Sequence, residues 1–176
     1  MAISGGVDSA PAGFVLTLEM DGESFAFFNE LRQRYYPPER NLVPAHVTLF
    51  YRLPGSHSRE IKPLLRNETE DRRPFQVAAD AAKLLESGVA FFLHAPQLLA
   101  LRETLAEEWW PWLTDRDKAG FRPHVTIQNN VRDAEARTTL RGIAALRPPQ
   151  IRAVGLHLWR YRDGPWEHAT LFPFRG

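Results

Sequence analysis

Cysteine is absent from the 176 residues, which excludes disulfides, thiol nucleophiles and thiolate metal sites at once. Surplus charge is nearly absent as well. The net charge is +1, whereas a protein that grips duplex DNA without sequence preference carries a basic excess. Long apolar runs are missing: the best candidate, Val89 to Leu101, is broken by His94, Pro96 and Gln97 and is too short to span a bilayer. The opening residues Met1-Ala2-Ile3-Ser4-Gly5-Gly6 have neither the basic region nor the apolar stretch of a secretion signal. These absences lead to the expectation of a cytoplasmic monomer with no membrane and no duplex-DNA partner.

What is present is the balance of a protein with a buried core, 44% apolar and 24% charged residues, at a length that suits one domain. One stretch occurs twice. Val43-Pro44-Ala45-His46-Val47-Thr48-Leu49-Phe50 is echoed by Phe121-Arg122-Pro123-His124-Val125-Thr126-Ile127-Gln128, with the histidines 78 residues apart, at 46 and 124. Read as strands, each puts alternate residues on one face. His46, Thr48, Phe50 and Arg52 share one face in the first, and His124, Thr126, Gln128 and Asn130 in the second. Val47, Leu49, Val125 and Ile127 point the other way, into a core.

The chain around these strands repeats too. Phe14 to Glu19 reads as a strand, Glu23 to Tyr36 as an amphipathic helix stopped by Pro37-Pro38, and the His46 strand runs to about Leu53. Ser58 to Asn67 is a second helix and Phe75 to Leu84 a strand, turning at Glu86-Ser87-Gly88. Then the order returns: a strand at Val89–Leu93, a helix from Pro96 to about Trp112, a loop at Asp115–Gly120, the His124 strand and a helix from Asp133 to Leu146. The repeats span about 14–67 and 89–146, an internal duplication. Ile151–Tyr161 and Trp166–Phe174 flank Arg162-Asp163-Gly164-Pro165 and close the chain as a hairpin.

Ser4-Gly5-Gly6-Val7-Asp8-Ser9 resembles a pyrophosphate-binding loop, but Pro11 and Gly13 stand where its helix must run, so residues 1–13 are expected to be a flexible leader. With six histidines and nine threonines, chance alone supplies about 0.3 His-x-Thr triplets. The third one, His168-Ala169-Thr170, lacks the preceding proline and is read as a strand histidine held in place by hydrogen bonds. His57 and His94 are read as bystanders. Of His157, Trp159 and Tyr161, which share a face, Trp159 is read as structural. The pair at 46 and 124 differs in its matched neighbours and matched positions in a repeat. Two imidazoles and two hydroxyls converging on one small anionic group can take and give protons near neutral pH while holding its oxygens. No third His, Asp or Glu at suitable spacing completes a metal site, so no metal and no cofactor is expected.

The pair is similar to the signature of the two-histidine phosphoesterase superfamily, in particular its 2′-5′ RNA ligase-like, 2′,3′-cyclic phosphodiesterase branch. Pro37-Pro38-Glu39-Arg40-Asn41-Leu42, Leu53-Pro54-Gly55 and Phe121-Arg122-Pro123 resemble the family's surroundings. The chain departs from it at Gln128-Asn129-Asn130, where a basic residue is common. The resemblance implies an α+β fold of two pseudo-symmetric lobes, a single domain over 14–176, with two antiparallel sheets forming a concave cleft and helices outside. It implies hydrolysis of a 2′,3′-cyclic phosphate on an RNA 3′ terminus or a nucleotide to a 2′-phosphate, with reversible 2′-5′ ligation as the reverse chemistry. His46 is then the proton donor and His124 the proton acceptor, with Thr48 and Thr126 beside them.

Phe50, Gln128, Arg40 and Tyr36 are the candidate substrate contacts. Phe50 would either stack on a base or serve in ordinary cleft packing, and Gln128 would hydrogen-bond. Arg32, Arg34, Tyr35, Tyr36 and Arg40 form a basic-aromatic patch that reads either as a surface for an RNA end or as a solvated helix terminus with core tyrosines. Two alternatives stand beside this reading: a phosphodiesterase for another small cyclic phosphate, such as one derived from ADP-ribose, and an RNA-end-binding module without turnover.

Overall fold

Strand β1 (Gly13–Met20) is apolar at almost every position and buried along nearly its whole length, which fits a central strand. The computed structural model describes residues 13–176; residues 1–12 of the expected leader, with the Ser4–Ser9 loop, lie outside the described residues, and Gly13 opens β1. Asp21 starts helix α1 (Gly22–Tyr35) as its N-cap, its carboxylate accepting the Ser24 N–H at 3.0 Å. Pro37 prevents its continuation. There follow β2 (Thr48–Leu53), α2 (Ser58–Glu70), β3 (Phe75–Leu85), β4 (Gly88–His94), α3 (Pro96–Trp109), α4 (Asp115–Lys118), β5 (His124–Gln128) and α5 (Asp133–Ile143). The long β6 (Ile151–Tyr161) and β7 (Glu167–Pro173) close the chain as a hairpin.

The order strand, helix, histidine strand, helix thus occurs twice. Two differences from expectation bear on the site. His46 lies just ahead of β2 rather than inside it. The segment after Trp112, read as a loop, holds the one-turn helix α4, because Thr114 caps it by accepting the Asp117 N–H at 3.3 Å.

All strand pairs are antiparallel. The hydrogen-bonded order is β2-β1-β6-β3-β4-β5, with β7 also on β6. The two expected sheets are joined by β3 into one curled path. Its eleven residues pair first with β6, at Phe75–Val77, and then with β4. β2 and β5 are the two ends of that path, so curling brings the histidine motifs together.

The helices cross over. α1, from the first half, packs on β5, and its Phe27 and Phe28 meet each other and Phe91 of the neighbouring β4 edge to face, with ring centroids 5.2–6.1 Å apart. α3, from the second half, reaches β2, its Trp109 ring 5.2 Å from Phe50. Leu16, Leu49, Leu53, Leu98, Leu105 and Val125 are among the residues of one buried core that runs through both halves.

Each histidine strand carries the same irregularity. Leu16 faces Phe50 while Thr17 faces Thr48, leaving Leu49 as an extra residue. Val89 faces Gln128 while Ala90 faces Thr126, leaving Ile127 extra. Both are β-bulges one residue past the threonine. At the second, only glycine fits opposite: a Cβ on Gly88 would lie 1.9 Å from the Gln128 carbonyl oxygen.

Candidate active site

The two imidazoles are oriented identically. His46 donates from Nδ1 to the Pro44 carbonyl at 2.8 Å, and His124 donates from Nδ1 to the Arg122 carbonyl at 2.8 Å. A carbonyl can only accept, so both Nδ1 atoms carry hydrogen and both Nε2 atoms are left to exchange protons. The acceptor is in each case the carbonyl of residue i−2, which belongs to Pro44 itself in one motif and to Arg122, the residue before Pro123, in the other.

Both rings line one cleft of about 250 Å³ together with Thr48, Thr126, Tyr36 and Arg32. The cleft lies between β2 and β5, and the two motifs contribute to it symmetrically. His46, Thr48, His124 and Thr126 are half-buried, while Val47, Leu49, Val125 and Ile127 are buried behind them. Simple alternation therefore holds from each histidine up to the bulge and fails beyond it.

The environment of His46 sets its protonation. Burial pushes the His46 pKa down to about 4. The Pro44 hydrogen bond opposes this, and the charges of Arg32 and His124 add to it. A pKa near 4 leaves His46 neutral at neutral pH. Arg32, itself buried, uses Nε on Asn41 at 2.9 Å and Nη1 on the Thr126 carbonyl at 2.9 Å, and its guanidinium lies 4.1 Å over the Tyr36 ring.

The expected contacts divide. Tyr36 lines the cleft. Phe50 does not: the bulge at Leu49 turns it into the core, 0% exposed, packed on Trp109 with the Arg102 guanidinium 4.3 Å over its ring. Gln128 is turned inward by the bulge at Ile127. It is 1% exposed and donates to Thr139 Oγ1 at 2.9 Å, while its Oε1 has no partner. Arg40 lies in an adjoining groove with Arg34 and Arg132, which shares Tyr36 with the cleft.

The bulges substitute the next residue in each strand, so Tyr51 and Asn129 line the cleft where Phe50 and Gln128 were expected. Positive charge comes from outside the motifs. Arg116, on α4, stacks 3.5 Å over Tyr51 and lines the cleft with Arg32. Asp117 secures this corner: its carboxylate accepts the N–H groups of Tyr51 at 2.9 Å and Arg52 at 3.0 Å. The Thr114-x-x-Asp117 spacing was a cap signal in the sequence, but nothing local said which strand edge it would meet.

The other histidines lie elsewhere. His57 stacks on Trp112 at 4.0 Å, and His94 is exposed at the end of β4. His168 is hydrogen-bonded, its Nδ1 to His157 Nε2 at 2.6 Å. Trp159 donates to Thr17 Oγ1 at 3.0 Å, in keeping with a structural part. Among the described residues no three His, Asp or Glu side chains are grouped to hold a metal ion, and no helix is long and apolar enough to cross a membrane.

The fold is similar to that of several solved structures. Escherichia coli LigT in apo form superposes with a TM-score of 0.63 at 16% identity, covering 94% of this chain and 98% of that one. TT0787 of Thermus thermophilus gives 0.62 at 18% identity, with 93% and 98% covered. LigT complexed with 3′-AMP gives 0.62 at 16%, with 96% and 100% covered. No curated protein matches the sequence. The model of the 2′-5′ RNA ligase superfamily matches residues 20–165, most of the chain and both histidine motifs, so the protein belongs to the 2′-5′ RNA ligase superfamily.

Proposed function

We propose that the protein hydrolyses 2′,3′-cyclic phosphates on RNA 3′ ends or nucleotides to 2′-phosphates, by acid–base chemistry between His46 and His124. The observation that carries this reading is the matched pair of Nδ1–H bonds to backbone carbonyls, which leaves two Nε2 atoms as the proton-exchanging groups of one cleft. That LigT has been crystallised with 3′-AMP supports a nucleotide as ligand.

The steps follow from these residues. His124 Nε2 takes a proton from water as the oxygen attacks phosphorus. The bond from phosphorus to O3′ breaks on the far side, and His46 Nε2–H protonates O3′. Thr48 and Thr126 hydroxyls, with Arg32 and Arg116, hold the nonbridging oxygens as charge builds there. The phosphodiester anion offsets the neighbouring positive charges and burial that keep His46 neutral in the free protein. With a ribose 5′-hydroxyl in place of water as the attacking group, the same step breaks the bond from phosphorus to O3′ and joins RNA ends through a 2′-5′ linkage.

Incubation with 2′,3′-cyclic nucleotides and EDTA, followed by ³¹P NMR, tests the reading. A 2′-phosphate product is expected, and His46→Ala and His124→Ala should each lower kcat by about 10²–10⁴. Absence of hydrolysis across nucleotides and RNA oligomers, or near-normal rates in both variants, overturns it.

A further inference from the structure

His46 also borders a second cavity, of about 220 Å³, on the side of β1 and the β6–β7 hairpin. Its walls are aromatic. The Trp166 ring stands 4.7 Å from the His46 ring and 6.2 Å from Trp159, while Trp159 lies flat on His157 at 3.7 Å and 16°. Phe25 adds a further ring, and Leu18, Met20 and Pro44 are aliphatic parts of the lining. None of this is used by the proton transfers above.

The polar groups of the walls are mostly committed within the protein. Trp159 Nε1–H goes to Thr17. His157 donates from Nδ1 to Glu19 Oε2 at 3.2 Å, so its Nε2 accepts from His168. Glu19 remains. Its side chain is 39% exposed, and His157 is its only salt-bridge partner among the described residues. The cavity thus offers flat faces and one carboxylate, which accepts from His157 at Oε2 and keeps lone pairs on both oxygens for further donors.

We infer that this cavity holds the base of the terminal nucleotide and prefers guanine. A planar ring is what aromatic walls bind, and a carboxylate selects rings with adjacent N–H groups. Guanine places N1–H and its exocyclic amino group side by side, a pair one carboxylate accepts together. Adenine and cytosine set a ring acceptor next to their amino group, and uracil flanks its single N–H with carbonyl oxygens that repel Glu19. The inference rests on the cyclic-phosphodiesterase reading, since the phosphate between His46 and His124 is what brings the base to this side of His46.

Binding and turnover separate the two. Quenching of tryptophan fluorescence by guanosine, adenosine, cytidine and uridine 2′-monophosphates should show guanosine bound at least tenfold more tightly. Glu19→Gln should reduce that ratio to threefold or less, while Trp166→Leu should weaken all four ligands; both variants are checked by thermal unfolding. The four 2′,3′-cyclic nucleotides should follow the same order in kcat/KM. Equal binding of all bases, or a ratio unchanged in Glu19→Gln, overturns the guanine site. Hydrolysis without base preference sinks this inference alone, and guanine-selective binding without hydrolysis sinks the hydrolase reading alone.

Discussion

Arg32 in α1 donates to the carbonyl of Thr126 in β5 at 2.9 Å, and so ties the helix of the first half to the histidine strand of the second. Arg102 in α3 returns the arrangement, donating from Nε to the Leu49 carbonyl at 3.2 Å. Each guanidinium thereby serves a carbonyl at one of the bulges. Arg32→Met and Arg102→Met should each cost about 1–3 kcal/mol in urea unfolding, because a buried acceptor loses its donor. Arg32 also lines the cleft, so its variant should lose at least tenfold in kcat/KM, with Arg102→Met within about threefold of the parent. Equal losses of activity would deny Arg32 a part in ligand binding.

The direction of proton flow is open to a leaving-group test. A phosphodiester with a p-nitrophenolate leaving group needs no general acid, so with it His46→Ala should recover most of its loss and His124→Ala little. Recovery in the His124 variant instead would reverse the two assignments.

The depressed pKa of His46 has a consequence for stability. The unfolded chain takes up a proton near pH 6.5 and the folded site only near pH 4, so between those values the unfolded state binds more protons. Stability is intact above pH 6.5 and falls as the pH drops toward 4, by about 1–3 kcal/mol from this group. Urea midpoints across this range should flatten in His46→Asn, and NMR titration should place the His46 midpoint near 4. A midpoint close to 6.5 would contradict the burial argument.

Packing and contact roles should separate at the bulges. Phe50→Ala should destabilise by about 3–5 kcal/mol, and Phe50→Leu should leave KM unchanged. Tyr51→Ala should do the opposite, raising KM while thermal stability falls by less than about 1 kcal/mol. A raised KM in Phe50→Leu would return Phe50 to the cleft.

Arg40 lies in the groove next to the cleft, not in it. Arg40→Ala should therefore raise KM for an RNA oligomer ending in a cyclic phosphate, more at low salt than at high, while leaving a cyclic mononucleotide unaffected. Equal effects on both substrates would place Arg40 against the terminal nucleotide.

Much of this was legible along the chain. The strand at Phe14–Glu19, the helix stopped by Pro37 and the recurrence of the order after Val89 are local signals of period and punctuation, and the fold reproduces them. The misplacements of Phe50 and Gln128 share one cause. Period-two alternation assumes an unbroken ladder, and the bulges at Leu49 and Ile127 depend on the partner strand, which a motif does not contain.

The sequence by itself determined that two proline-led His-x-Thr strands would recur, because residue identity and periodicity are properties of neighbours on the chain. Tertiary structure alone decided that Tyr51 and Asn129 enter the cleft and that Arg116 and Arg32 supply its charge. It also decided that His46 is neutral and that Glu19, Trp159 and Trp166 share a cavity. Each of those outcomes depends on groups distant in sequence excluding water from, or pairing with, one another, and only the curling of the sheet brings them within reach.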